Sequence, residues 1–172
     1  MSGFDPKDSW NNYMMLRKEV YETLSPDHVN NNIISETNWV MRSQLDRGIR
    51  VEPGDICFFD FGQAYLNEVG YQHMGLVMSI CARKALVIPM TSNEATFANA
   101  FDPEDNPDGA RFLMRLGQPK GMNRPSVLFL NDIRYVNTAR VIRKVSHIDA
   151  TSEIFRTVQS RMMYVLFNNI DE

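Results

Sequence analysis

Residues Gly54 to Ser92 read GDICFFDFGQAYLNEVGYQHMGLVMSICARKALVIPMTS, and the fold turns on how that stretch is parsed. Ile56 to Phe61 is a short, nearly uninterrupted apolar run rich in phenylalanine, the composition of a buried strand. Gly62 to Gly70 is polar and bracketed by glycines that tolerate unusual backbone angles, so it reads as a loop. Leu76 to Ile80 and Ala85 to Met90 are strands separated by only the residues around Cys81 to Lys84, which forces an antiparallel hairpin. With the turn centred on Ala82, residues whose numbers sum to 164 face one another, and His73 lies opposite Thr91 on the same face. A turn centred half a residue later pairs His73 with Ser92 instead, so an imidazole meets a hydroxyl in both registers.

Working outward, Trp10, Tyr13, Leu16, Val20 and Leu24 recur at helical intervals over 8–24. Ser25 and Pro26 stop that helix and can start another turn, Ser as cap and Pro at the first helical position. Asn30 to Asn32 is expected to be loop, followed by a second helix from Ser35 to the breaker Gly48. This gives an N-terminal helical extension over 1–50, packed through Trp10 and Trp39 on a body spanning 51–172. Beyond the hairpin, Asn93 to Gly109 is expected to be an exposed loop or flap. Strands follow at Ala110 to Leu116, Ser126 to Leu130, Ile133 to Val136 and Arg140 to Val145. A closing helix is capped by Thr151 or Ser152 and carries Ile154, Val158, Met162 and Val165 as its apolar stripe. Short strands without βαβ alternation predict a mainly β protein with helices (α+β), either a small antiparallel barrel or an open sheet.

The 172 residues, 44% hydrophobic and 23% charged, suit one folded body with an appendage and exclude a disordered chain. No apolar run is long enough to span a bilayer and the first residues lack a secretory pattern, so a cytoplasmic location without membrane partners is expected. Cys57 and Cys81 lie in apolar runs, as buried core thiols do, and His28, His73 and His147 are scattered. Neither a metal site nor a cofactor is expected, and the GxGxxG, P-loop and HExxH motifs are absent. The net charge of −3 hides an asymmetry: 109–147 carries eight Lys/Arg against Asp132, while 51–108 carries nine Asp/Glu against Arg83 and Lys84. A phosphate-binding face is therefore possible on an acidic protein, because salt limits charge effects to about 10 Å.

GDICFFDF, a glycine-containing loop with Glu68, HMGLVMS, LVIPMTS and PSVLFLNDIRYVNTARV, in that order, resemble the MazF/PemK-like toxin endoribonucleases over about residues 52 to 167. The resemblance implies an SH3-like β-barrel with a C-terminal helix, a homodimer, a cognate antitoxin and metal-independent cleavage of single-stranded RNA through the ribose 2′-OH. It places the family's site hydroxyl on Thr91, with Ser92 as a second candidate. The family's catalytic arginine falls on His73, a departure that exchanges a bidentate phosphate ligand for a group that titrates near neutrality. Glu68 matches a loop acid that could orient His73 or discriminate bases, and Arg134 matches an arginine of structural or RNA-contacting role. Arg83 and Lys84, at the hairpin tip, complete the candidate RNA contacts. The alternative is a non-catalytic SH3-like module binding RNA or protein through the basic 109–147 face.

Overall fold

The computed structural model describes residues 6–45 and 48–168. Two helices, α1 (Pro6–Thr23) and α2 (Pro26–Arg42), precede an α+β body. Its strands are β1 (Asp55–Asp60), β2 (Gln72–Cys81), β3 (Lys84–Thr91), β4 (Ala100–Phe101), β5 (Ala110–Gly117), β6 (Ser126–Phe129), β7 (Arg134–Asn137) and β8 (Val141–His147). A short helix α3 (Glu94–Asn99) lies between β3 and β4, and α4 (Glu153–Phe167) closes the described chain.

All eight strands share one sheet, ordered β4-β5-β6-β3-β2-β1-β8, with β7 paired to β3 off this path. Of the two forms expected, open sheet and antiparallel barrel, the open sheet is the one found, and the SH3-like barrel implied by the resemblance is corrected on two counts. The terminal strands β4 and β8 do not pair with each other, so the sheet stays open, and β4 runs parallel to β5. The bend comes from β3, whose first half pairs with β7 and whose last two residues pair with β6.

The apolar run of β1 is nearly uninterrupted because both of its faces are covered. Ile56 joins Leu76, Ile88, Met90 and Leu128 in a core closed by Phe155, Val158 and Met162 of α4. Cys57 and Phe59, on the opposite face, pack with Phe61, Val77, Val87 and Val141. Gly75 is needed where this second core is tightest, since a Cβ there would sit 2.4 Å from the Val87 side chain. On α4, Ser152 is the cap and its hydroxyl accepts from Phe155 N, but Phe155 rather than Ile154 begins the buried stripe.

The hairpin is the predicted one, with a different turn. Cys81 pairs with Lys84 across the two-residue turn Ala82-Arg83, both at positive φ (44° and 66°), so pairs near the turn sum to 165. A bulge between Val77 and Ser79 then absorbs one residue, and pairs from Val77↔Val87 to Met74↔Met90 sum to 164.

Other expectations change. Asn30 to Asn32 is helical, because α2 begins at Pro26 under a Ser25 cap whose hydroxyl accepts from His28 N; it ends at Arg42, before Gly48. Residues 93–109 contain α3 and β4 rather than a bare loop. Cys81 is exposed at the tip of β2, whereas Cys57 is buried and its thiol is pushed up to about 12 by burial. Trp10 and Trp39 face outward, 60% and 65% exposed, so they do not dock the helices on the body. That contact is polar. The buried Asp60 carboxylate accepts from Ser35 Oγ (2.7 Å), Asn38 Nδ2 (2.5 Å), Gln72 Nε2 (3.2 Å) and Gly62 N (3.0 Å). Asn32 Nδ2 donates to the Tyr71 hydroxyl at 3.0 Å.

Candidate functional site

The 62–70 loop hangs from a closed neck: Phe61 N donates to Tyr71 O (2.7 Å) and Tyr71 N to Gly62 O (2.6 Å), with Tyr71 at φ 56°. Its return arm is held by side chains from two other elements. Val69 N donates to Asp132 Oδ2 (2.7 Å), and Arg134 Nη2 donates to Val69 O (3.0 Å) and to Asp132 Oδ1 (2.5 Å). The next carbonyl, Gly70 O, accepts from His73 Nδ1 at 2.6 Å. Since a carbonyl only accepts, Nδ1 carries the proton and, in the neutral ring, Nε2 keeps its lone pair.

Phe59 of β1 pairs with His73, and the β2–β3 ladder ends one step short of it, at Met74↔Met90. Carrying the same sum one residue on sets His73 level with Thr91 at the open end of the hairpin. Among the described residues no hydrogen bond joins the two side chains: Thr91 Oγ1 accepts from Asn93 N at 3.2 Å. His73 is exposed, and Thr91 and Ser92 are half-buried. This open end of the hairpin carries one imidazole and two hydroxyls.

The other candidates separate. Arg134 lies beside the loop arm, yet its guanidinium is occupied by Asp132, by Val69 O and by the Phe61 ring, 5.4 Å from Cζ to the centroid. It holds the loop. Glu68 is exposed and accepts from Tyr65 N at 3.1 Å, and among the described residues no hydrogen bond or ion pair joins it to His73. Arg83 and Lys84 are exposed at the other end of the hairpin, roughly 25 Å from His73 at about 3.3 Å per residue, so they do not join one site with it.

The sequence gives little sign of Asp132 or of the Gly70 carbonyl. Asp132 had a weak signal, a carboxylate two residues before Arg134; a carbonyl has none.

Among the described residues one group could hold a metal: Glu52, Asp55 and His147 bring ligand atoms within 4.8 Å of one another. Asp55 is already saturated by Lys144 Nζ (2.7 Å), His147 Nδ1 (3.0 Å) and Glu52 N (2.9 Å). Burial would raise its pKa, but these donors outweigh it and hold the carboxylate below its usual range. The cluster ties β1 to β8. A cavity of about 440 Å³ lies elsewhere, between the N-terminal helices and the sheet, lined by Tyr13, Trp39, Asp60 and Arg140 among others.

Neither a search of protein-family profiles nor one of curated proteins gives a match. Solved structures do. The chain is similar to MazF from Deinococcus radiodurans at a TM-score of 0.50 and 15% identity, covering 69% of this chain and 97% of that one. It is also similar to an endoribonuclease in complex with its cognate antitoxin from a mycobacterial species, at 0.47 and 10% identity over 68% and 95% of the two chains. Mycobacterium tuberculosis toxin MazF-mt6 follows at 0.45 and 10%, over 69% and 99%. At such identities the likeness speaks for architecture, and the chain is built on a MazF-like fold.

Proposed function

We propose that this chain is a toxin-type endoribonuclease that cleaves single-stranded RNA without a metal and is held in check by a cognate antitoxin. The observation that carries the reading is the contact of His73 Nδ1 with Gly70 O; continuing the β2–β3 register one residue past Met74↔Met90 sets Thr91 level with it. Nε2 takes the proton of a ribose 2′-OH while the 2′-oxygen attacks the adjacent phosphorus. The P–O5′ bond breaks, the imidazolium returns a proton to O5′, and the products are a 2′,3′-cyclic phosphate and a 5′-hydroxyl. Thr91 donates its hydroxyl hydrogen to a non-bridging phosphoryl oxygen as charge builds there. The hydroxyl is free to do so because its only protein hydrogen bond among the described residues is as acceptor from Asn93 N.

Purified protein with chelator present is expected to cut a single-stranded RNA and leave cyclic-phosphate ends. His73→Ala removes the base and should lower the rate by about 100-fold or more with unchanged circular dichroism. Cleavage at the wild-type rate in that variant overturns the assignment. The likeness to an endoribonuclease bound to its antitoxin supports looking for a small neighbouring gene whose product suppresses the activity.

A further inference from the structure

The cavity of about 440 Å³ where the N-terminal helices meet the sheet is lined by no residue of the candidate nuclease site. Its size suits one small ligand, since such sites run from about 300 to 1,000 Å³. Two aromatic side chains line it. Trp39 and Tyr13 are 65% and 48% exposed, and the Tyr13 hydroxyl is held by Arg17 Nη1, which donates to it at 3.0 Å. Both rings keep much of their apolar surface out of the core. Two amides add a spare acceptor and a spare donor. Asn38 Nδ2 donates to the Asp60 carboxylate at 2.5 Å, which leaves its Oδ1, and Asn137 Oδ1 accepts from Ala139 N at 2.8 Å, which leaves its Nδ2. Among the described residues neither spare group has a hydrogen-bond partner. The acids of the wall are already engaged, Glu36 by Arg17 and Asp60 by its four donors. Arg140 is not: it donates to the Asp60 carbonyl at 3.0 Å and, among the described residues, pairs with no carboxylate. Gly62 makes room for that guanidinium, because a Cβ there would stand 3.2 Å from Arg140 Nη1.

We propose that this cavity binds a free nucleoside 5′-monophosphate, with the base on Trp39 and Tyr13, its edge read by Asn38 and Asn137, and the phosphate on Arg140. Each part of the ligand answers one part of the wall. A base is planar and stacks on an aromatic face. Its edge carries donors and acceptors together, which the two amides match and a purely apolar ligand would leave unused. A guanidinium without a carboxylate calls for an anion, and its planar fork fits phosphate oxygens in pairs. A bare phosphate would leave both rings uncovered, and an uncharged nucleoside would leave Arg140 without a counter-charge. Tyr13, Asn38 and Trp39 belong to α1 and α2, outside the stretch that resembles the toxins. The site is therefore separate from the RNA site proposed above, and the proposal does not depend on nuclease activity.

Calorimetric titration of the full chain with AMP and with UMP tests it. Saturable one-to-one binding of at least one of them with a Kd below about 1 mM is expected. The matching nucleoside and inorganic phosphate should each bind at least about 10-fold more weakly. Trp39→Ala removes a stacking face and should weaken the nucleotide about 10- to 100-fold. The substitution spares the fold because that indole is 65% exposed. Arg140→Ala, also at an exposed position, should weaken the nucleotide about 10-fold or more and leave the affinity for the nucleoside unchanged. Should that variant fail to fold, Arg140→Gln gives the same readout. His73→Ala is expected to bind the nucleotide as the wild type does. Absence of saturable binding by both nucleotides overturns the proposal. So does binding that Trp39→Ala and Arg140→Ala both leave unchanged, or that only His73→Ala abolishes. A 5′-phosphorylated oligonucleotide that binds more tightly than the mononucleotide and loses that affinity in Trp39→Ala would overturn the choice of a free nucleotide.

Discussion

Thr91 and Asp60 show opposite uses of a side-chain oxygen. The Thr91 hydroxyl is half-buried, bonded weakly to Asn93 N and otherwise uncommitted, so its removal costs little fold energy. If it donates to the phosphoryl oxygen, Thr91→Ala should lower kcat by about 10- to 100-fold with little change in Tm, and Thr91→Ser should restore most of the rate. Equal rates for all three proteins would remove Thr91 from the chemistry. Asp60 is the reverse, a buried carboxylate with four donors and no exposed face. Burial pushes its pKa up, but Ser35, Asn38, Gln72 and Gly62 N outweigh that, and the net shift is downward. A depressed folded pKa means Asp60 stabilises the fold fully above the ordinary carboxylate range near 4 and loses that contribution as pH falls through the folded value. Asp60→Asn, which turns an amide NH₂ toward those donors, should cost about 2 kcal/mol in urea unfolding at neutral pH. It should also flatten the acid limb of the stability curve; an unaltered limb would show that other carboxylates set it.

The β2–β3 hairpin was legible as an element because a two-fold side-chain period and a short connection admit few pairings. The expected sum of 164 holds at the open end for a reason not foreseen: a turn centred half a residue later and a bulge at Met78 cancel. Bulges leave no mark in an unbroken apolar run, so only the coordinates separate the two cases. The α2 helix was half legible. Ser25-Pro26 announced a helix start, but the asparagines at 30–32 have weak helical preference and argued for loop. In the fold, Asn32 bonds Tyr71 and Gln63 and is worth more there than its propensity costs. Cys81 and the two tryptophans misled for a common reason: apolar character marks a surface to be covered without saying what covers it. The turn itself is suboptimal, since Ala82 and Arg83 both occupy positive φ without a glycine or asparagine. Replacing them with Asn-Gly should stabilise the fold by about 1 kcal/mol. Because the tip is roughly 25 Å from His73, RNA cleavage should proceed at the wild-type rate, and a loss of rate would return Arg83 to the substrate path.

Over the whole molecule, the charge asymmetry that favoured a phosphate-binding face is largely consumed by folding. Of the eight Lys/Arg in 109–147, four lie within 4.0 Å of a carboxylate: Arg115 with Asp102 and Asp105, Arg124 with Glu94, Arg134 with Asp132, and Lys144 with Asp55. Most of those acids come from the 51–108 segment, so the two biased halves of the sequence neutralise each other in space. Arg140 donates to the Asp60 carbonyl, and Arg111 and Arg143 stack on Phe101 and Phe58; among the described residues none of the three pairs with a carboxylate. With Lys120 they make four cations that can meet RNA phosphates without first giving up an acid. For single strands each neutralised phosphate contributes about 0.7 to the slope of log K against log salt. Four such contacts give a slope near −3, whereas all eight cations acting together would give about −6. Binding of a single-stranded oligonucleotide to His73→Ala, measured over a range of salt concentrations, is expected to follow the shallower line. A slope near −6 would mean that RNA displaces the internal acids, and with them the Asp132–Arg134 pair that holds the loop beside His73.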